Sequence, residues 1–147
     1  MKRTCSILIL SLLSLAALAA DKTIDQLKAE AERPDSGQQA KLCAEVADRL
    51  VAVADKEFTD GESVKGHATV QEILQYATRA RELALQTRKK MKDTELHLRR
   101  CRHSLEGVRR TLAAEDRPPV EAVEKKLEQL DEDVLEAMFA PPKKESK

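Results

Sequence analysis

A heptad repeat of small and apolar residues runs without a slip through the second half of the chain. Its positions are separated alternately by three and four residues, the spacing that places side chains on one stripe of an α-helix. They are Val70, Ile73, Ala77, Ala80, Ala84, Thr87, Met91, Thr94, Leu98, Cys101, Leu105, Val108 and Leu112. No proline lies between residues 63 and 114, so this segment is predicted to form one helix, roughly 75 Å long if straight.

The rest of the chain divides into three further helices and a tail. The predicted helices cover about residues 24–33, 37–59 and 118–139, and residues 141–147 form a basic tail predicted to be disordered. Thr23 with Gln26, and Ser36 with Gln39, have the spacing of capping boxes that open the first two helices. Gly61 suits the left-handed position that ends the second helix, and Ser63 can cap the next one. Pro118 suits the first turn of the last helix, which Asp116 or its neighbour is predicted to cap.

Two short turns allow the long helix to pair with a shorter helix on each half, because short connections join antiparallel neighbours. Folding the chain at the turn TDGES places Ala47 opposite Ala77, so small residues meet along this hairpin. Folding it at AAEDRPP places Leu127 opposite Leu105, so large residues meet. We therefore expect an all-α fold of antiparallel coiled-coil-like helical hairpins around one long central helix.

The first twenty residues are typical of a secretory signal peptide. Lys2 and Arg3 form a basic start, an apolar core runs over residues 7–18, and small residues permit cleavage after Ala19 or Ala20. A membrane anchor is the alternative, but the apolar run is short of the roughly 20 residues that a spanning helix needs. We expect a periplasmic or secreted protein with no stable membrane insertion after cleavage.

The composition argues against nucleic acid as a partner and against catalysis. Removing Lys2 and Arg3 from the 26 basic residues leaves 24 against 26 acidic ones, whereas nucleic-acid-binding domains are strongly basic. One Tyr, two Phe and no Trp offer bases or sugar rings little to stack on. The chain lacks a Gly-rich phosphate loop, a nucleophile elbow and an H-E-x-x-H motif, so we expect a protein that is not an enzyme.

Neither a metal nor a haem cofactor is expected. His97 and Cys101 lie four residues apart on one helical face, but a zinc site needs three or four ligands and no second pair accompanies them. Cys101 is followed by Arg102 and His103, which differs from the C-x-x-C-H sequence of covalent haem attachment.

Cys43 and Cys101 are the two cysteines that would reach an oxidising compartment. In the expected arrangement Cys43 faces Ala80, which places the two cysteines roughly 30 Å apart along the long helix. A disulfide tolerates only about 7 Å between Cα atoms. We therefore predict no intramolecular disulfide and interpret both cysteines as small buried residues.

Opposite charges are concentrated on the two segments of the second hairpin. Residues 79–110 carry eleven basic and four acidic residues, whereas residues 115–136 carry nine acidic and three basic ones. These charges are expected to flank the apolar stripe formed by the heptad positions, which we call the seam. They are expected to determine which residues of the two helices face each other. Alternatively, surplus cations bind an anion on a nucleic acid, a lipid headgroup or a cell-wall polymer. The best candidates for such a patch are Arg88, Lys89, Lys92, Arg99 and Arg102.

Several apolar residues lie off the predicted seam and would be exposed on a rod that is two helices thick. They are Leu42, Val46, Val53, Leu74, Leu83, Leu85 and Leu96. The short first helix (Ile24, Leu27, Ala31) can cover part of this surface. Either a bend of the long helix near residues 87–93 or a second copy of the chain would cover the rest. The expected partner is therefore a second copy, as a homodimer, or another envelope protein.

Two segments, residues 54–84 and 108–139, resemble uncharacterised exported all-helical bacterial proteins, a family without an assigned function. The first segment is also similar to a tetratricopeptide hairpin in its F-x-x-G-acidic turn, although a 34-residue period is absent. The residues of this likeness are Phe58, Gly61, Tyr76, Ala77, Ala80 and Ala84. We expect a non-enzymatic interaction or structural protein. The alternative is a chaperone-like or envelope-binding module that uses the basic face of the long helix.

Overall fold

The computed structural model describes residues 22–33 and 37–141, and the regular structure in these residues is entirely α-helical. The helices are α1 (Ile24–Ala31), α2 (Gln39–Thr59), α3 (Ser63–Thr87), α4 (Met91–Thr111) and α5 (Arg117–Phe139). The all-α prediction is confirmed. The predicted signal peptide, residues 34–36 and the predicted tail from residue 142 onward lie outside the described residues.

The continuous helix predicted over residues 63–114 is wrong, because it ends at Thr87 and α4 begins at Met91. Arg88 and Lys90 adopt left-handed backbone, with φ of 57° and 54°, which costs an L-residue roughly 1–2 kcal/mol each. The joint turns the chain back, so α4 packs along α2 instead of extending away from it. Burial of seam residues such as Leu98, which is fully buried, offsets that cost. Of the two predicted alternatives, a bend or a second copy, the bend near residues 87–93 is confirmed.

Two hairpins of similar size make up a four-helix bundle. Helix α2 packs antiparallel to α3, and α4 packs antiparallel to α5; α2 also lies along α4, and α3 along α5. These four contacts form a ring, so α2 and α5 lie at opposite corners, as do α3 and α4. Helix α1 packs across α2. The bundle therefore has two ends: the hairpin turns lie at one end, and the α3–α4 joint lies at the other.

Contacts within each hairpin agree with the predicted pairing. In the first hairpin Thr69 Oγ1 donates to Glu57 Oε2 over 2.6 Å, and in the second Arg109 Nε donates to Glu124 Oε2 over 2.6 Å. Twelve of the thirteen seam positions are buried, and Thr87, beside the joint, is the exposed one. The heptad repeat thus predicted the core even though it did not predict where the helix ends.

The first hairpin is closely packed because small residues line it. A Cβ atom added to Gly66 would lie 2.8 Å from ring carbons of Phe58, so the backbone of α3 approaches this ring more closely than any other residue would allow. The buried alanines of this hairpin include Ala47, Ala54 and Ala77. The turn between its helices contains Gly61 with φ of 79°, as its predicted left-handed position requires.

One predicted helix cap is present and two differ. Thr23 and Gln26 form the capping box, with the Gln26 backbone N–H donating to Thr23 Oγ1 over 3.3 Å. The N-cap of α2 is Gln38, whereas the sequence predicted Ser36, which lies outside the described residues. Ser63 is the first residue of α3 and not its cap, because its hydroxyl donates to Asp116 Oδ2 over 3.1 Å.

The distance estimated for the two cysteines is wrong because it assumed a straight helix. Asp48 of α2 contacts His97 of α4, which places Cys101 beside α2, only about two helical turns along from Cys43. Both cysteines are nevertheless free and buried, so the predicted absence of a disulfide between them is confirmed. Burial raises the pKa of the Cys101 thiol, and the nearby Asp48 carboxylate raises it further.

Chain reversal also covers most of the apolar residues that lie off the seam. Val46 is fully buried, and Leu42, Val53, Leu74, Leu83 and Leu85 are packed against the core in half-buried positions. Leu96 is the exception, with 46% of its surface exposed. The bend and the packing of α1 on α2 together leave little of the surface that suggested a second copy. The homodimer stays a prediction without that support.

Candidate functional site

The five cations predicted for an anion-binding surface separate into two groups. Arg88, Lys89 and Lys92 lie at the joint between α3 and α4 and are exposed. Arg99 and Arg102 lie further along α4, where they approach carboxylates. We use the term basic end for the exposed cluster Arg88, Lys89, Lys90 and Lys92.

The basic end is formed where three helices come together. Arg88 Nη2 donates to the carbonyl oxygen of Ala140 over 3.2 Å, which holds the joint against the end of α5. A Cβ atom added to Gly37 would lie 3.3 Å from Lys89 Cδ, so the Lys89 side chain passes the start of α2. The N-cap of α4, Lys90, makes no side-chain cap hydrogen bond. Four cations thus lie together at the joint, beside the N-terminus of α4 and the C-termini of α3 and α5.

Little negative charge neutralises this cluster. Within the part of the chain that the structure describes, the ion pair at the joint is that of Lys90 Nζ with Asp93 Oδ2, over 3.7 Å. Arg88, Lys89 and Lys92 form no salt bridge with a described residue. An exposed pair at that distance contributes little, so the basic end keeps most of its positive charge.

Carboxylates are concentrated at the opposite end of the bundle. We use the term acidic end for Asp55, Asp60, Glu62 and Glu115, which are exposed around the two hairpin turns. Lys56 pairs with Asp60 and Lys65 with Glu62. A cleft of about 380 Å³ between the turns is lined by residues that include Asp55, Glu115 and Asp116. Asp55 and Glu115 make no ion pair with a described residue, whereas Asp60 and Glu62 are neutralised by lysines of the same end.

Arg99 and Arg102 serve the contact between α4 and α5. Arg99 pairs with Glu95 one turn earlier, and Arg102 Nη1 lies 3.9 Å from Glu128 Oε1 on α5. Glu95 is 5% exposed and Asp131 of α5 is 8% exposed. Arg102 thus approaches a carboxylate of α5, whereas the ion pair of Arg99 lies within α4. Selection of the hairpin register by these charges stays a prediction.

Asp131 is an unusual member of this contact. Its Oδ1 atom is buried without a hydrogen-bond partner among the described residues. Burial raises the pKa of its carboxyl, as does the neighbouring Glu95 carboxylate, while Arg99 and Arg102 act in the opposite direction. The carboxyl of Asp131 thus favours the neutral form more than an ordinary aspartate does.

His97 joins the two hairpins and is not part of a ligand cluster. Its Nδ1 atom lies 3.2 Å from Asp48 Oδ2 on α2, and Arg100 Nε lies 3.6 Å from the same oxygen. In residues 22–33 and 37–141, no group of three or more His, Cys, Asp or Glu side chains is arranged to hold a metal ion.

A second histidine contact joins the hairpins near the acidic end. His67 Nε2 lies 2.8 Å from Asp116 Oδ1, Ser63 Oγ donates to Asp116 Oδ2, and the imidazole meets the Phe58 ring edge-on at 5.1 Å between centroids. A nucleophilic serine needs a base within hydrogen-bonding distance of its hydroxyl, but here the hydroxyl and the imidazole both bind the carboxylate. The arrangement holds the two turns together.

Sequence reasoning did not find either His–Asp contact. In both pairs the partners are 49 residues apart, and they meet only because the chain reverses at the joint. One signal was present, since Asp116 was predicted to cap α5. It is the N-cap residue but makes no side-chain cap hydrogen bond, because its carboxylate is used by Ser63 and His67.

Comparisons add no relative from which a role could be transferred. None of the described helices is long and apolar enough to cross a membrane. No protein-family model, curated protein or solved structure matches this chain.

Proposed function

We propose that this protein is a non-enzymatic interaction module, exported to the cell envelope, that binds an anionic partner through its basic end. The observation that carries the proposal is the exposed cluster of Arg88, Lys89, Lys90 and Lys92, in which one cation has an acidic partner. Export rests on the signal peptide expected from Lys2 to Ala20.

The position of the cluster favours binding over a purely structural role. Cations that stabilise the fold lie along the helices and touch carboxylates of neighbouring helices, as Arg81 does with Asp133 over 2.7 Å. The cations of the basic end project from a joint in which two residues, Arg88 and Lys90, have left-handed backbone. Strained residues of this kind persist where the surrounding structure over-determines them, and they are frequent at binding sites.

The charge at the two ends would also orient the molecule. A partner with negative charge is attracted to the basic end and repelled by the acidic end. Helix α3, with 25 residues, is about 38 Å long. This length exceeds the Debye length of about 8 Å at physiological ionic strength, so a partner at one end is screened from the charges at the other.

Binding of long-chain polyphosphate, a soluble polyanion, tests this proposal. Affinity should fall steeply between about 50 and about 300 mM NaCl, because the attraction is screened. The double variant Lys89→Glu with Lys92→Glu should bind at least about tenfold more weakly. Lys126→Glu is the matched control, since Lys126 is exposed on α5 away from the basic end. Equal binding by the wild type and the double variant would contradict the proposal.

Self-association is a second candidate, favoured by the opposite charges at the two ends. The basic end of one copy could contact the acidic end of the next, which is a head-to-tail contact that does not close on itself. Sedimentation velocity at low and high salt distinguishes the cases. Oligomers that dissociate with added salt would support this candidate, whereas a monomer at every concentration would exclude it.

A further inference from the structure

Two of the four large apolar side chains exposed among the described residues lie at the end of α5. Phe139 is 81% exposed and Leu135, one turn earlier, is 38% exposed. Residues four apart on a helix lie on the same face, so these two side chains form one apolar strip. The other two, Val64 and Leu96, lie on different helices. Single apolar residues scattered over a surface need no explanation, but two adjacent exposed ones form a patch that does.

The apolar strip adjoins the basic end. Ala140 follows Phe139 directly, and its carbonyl oxygen accepts the hydrogen bond from Arg88 Nη2 over 3.2 Å. The same end of the bundle therefore presents an aromatic ring, an aliphatic side chain and four cations, with the exposed carboxylates Glu132 and Glu136 on neighbouring positions of α5.

We infer that the basic end docks on the surface of a lipid bilayer that contains anionic lipids, an inference that rests on the proposed function and names its partner. Phe139 and Leu135 enter the headgroup region, and Arg88, Lys89 and Lys92 lie against the lipid phosphates. Shallow burial of aromatic and aliphatic side chains combined with attraction of cations to anionic lipids is how peripheral proteins bind bilayers.

The exposed Phe139 distinguishes a bilayer from a soluble polyanion. A soluble polyanion would contact only the cations and leave the phenyl ring in water. Binding of a polyanion therefore does not explain why the ring is 81% exposed beside the cations. A bilayer offers phosphates and an apolar interior within a few ångströms of each other, which matches both parts of the surface.

The acidic end fixes the orientation of the docked molecule. Asp60 and Glu62 are paired with lysines, but Asp55 and Glu115 make no ion pair with a described residue. An anionic surface repels these two carboxylates, which disfavours contact of this end with the lipid. The protein therefore stands end-on, with its hairpin turns and their cleft directed away from the lipid. This orientation leaves the acidic end free for contact with another molecule.

Flotation of the full chain with lipid vesicles tests the inference. Vesicles with about 30% phosphatidylglycerol in phosphatidylcholine should bind the protein, and pure phosphatidylcholine vesicles should bind at least about tenfold less. Phe139→Ser should weaken vesicle binding several-fold without changing polyphosphate binding. Its matched control is Val64→Ser, which removes an apolar side chain that is 86% exposed at the acidic end and should bind as the wild type does.

Each outcome separates this inference from the proposed function. Binding of polyphosphate without binding of anionic vesicles, or vesicle binding that Phe139→Ser leaves intact, overturns docking on a bilayer and leaves the anion-binding function standing. Binding of neither probe overturns both. Binding of anionic and neutral vesicles to the same extent also overturns the inference, because it assigns the interaction to an apolar segment and not to the basic end. Circular dichroism of each variant verifies that these exposed substitutions preserve the fold.

Discussion

His67 on α3 and Asp116 in the turn before α5 hold the two hairpins together at the acidic end, with 2.8 Å between Nε2 and Oδ1. The carboxylate also accepts a hydrogen bond from Ser63, so one side chain of the second hairpin binds two side chains of the first. At mid-bundle, Asp48 and His97 make the corresponding contact between α2 and α4. The packing of one hairpin on the other thus combines apolar burial with specific polar contacts, which also include that of Arg81 with Asp133.

Replacing His67 by Ala should lower the free energy of unfolding by about 1–3 kcal/mol, because it leaves the Asp116 carboxylate short of a partner in a partly buried site. Urea unfolding monitored by circular dichroism measures the change. His103→Ala is the control: His103 is 59% exposed and 3.9 Å from Glu106, and its loss should cost less than about 0.5 kcal/mol. Equal effects of the two substitutions would show that the contact between turns does not stabilise the fold.

Asp131 should make stability depend on pH in the acidic range. Its pKa is raised in the folded protein by burial and by Glu95, so the folded state binds the proton more tightly than the unfolded chain does. The contribution of this group to stability is therefore greatest below its ordinary pKa of 3.8 and is lost as the pH rises through the raised value. Asp131→Asn should consequently be more stable than the wild type at neutral pH, and the difference should shrink on acidification.

Asp133→Asn provides the matched control for that measurement. Asp133 lies on the same helix but pairs with Arg81 over 2.7 Å and is 43% exposed. Its neutralisation removes an attraction, so this variant should be no more stable than the wild type at neutral pH. If Asp131→Asn were also destabilising at neutral pH, the inference that Asp131 is held in an unfavourable site would be refuted.

Charge reversal should separate the cations of the fold from those of the basic end. Arg102→Glu places a carboxylate beside Glu128 and Asp131, in a side-chain position that is 23% exposed, and should destabilise the protein by about 1–3 kcal/mol. Lys92→Glu, at an exposed position, should change stability by less than about 0.5 kcal/mol. Thermal unfolding measures both. If Lys92→Glu destabilised the protein as much as Arg102→Glu, the cations of the basic end would stabilise the fold, and the proposed function would lose its support.

Two glycines within helices should respond oppositely to alanine. At Gly66 an added Cβ would lie 2.8 Å from the Phe58 ring, so Gly66→Ala should cost about 1–3 kcal/mol through overpacking. At Gly107, in the middle of α4, a Cβ meets nothing within 4 Å, so Gly107→Ala should stabilise by about 0.5–1 kcal/mol through its higher helix propensity. Chemical denaturation of both variants checks the prediction, and a neutral Gly66→Ala would mean that the α2–α3 contact is looser than described.

Much of the fold was predictable from local patterns. The three-and-four spacing from Val70 to Leu112 identified the buried face, since that spacing alone determines which side chains share a stripe of a helix. The capping pair Thr23 and Gln26, and Gly61 in the first turn, also took the predicted conformations. Their geometry depends on neighbours within a few residues, and these neighbours are visible in the sequence.

The basic end was predictable only in part. Arg88, Lys89 and Lys92 were identified as candidates, and they are exposed. Arg99 and Arg102 could not be distinguished from them by sequence, because all five belong to one basic segment. What separates the two groups is their distance to carboxylates. Arg99 pairs with Glu95 within α4, whereas the contact of Arg102 with Glu128 depends on the packing of α4 against α5.

The amino-acid sequence by itself determined the helical content, the core face and the pairing within each hairpin, because these follow from residue spacing and short turns. Only the tertiary structure decided that the long helical segment breaks at Arg88–Lys90, since arginine and lysine give no local signal for left-handed backbone. The break is favoured by burial that becomes available when α4 packs on α2. The same reversal brings His67 to Asp116 and His97 to Asp48, and it places the cations of the joint beside Phe139.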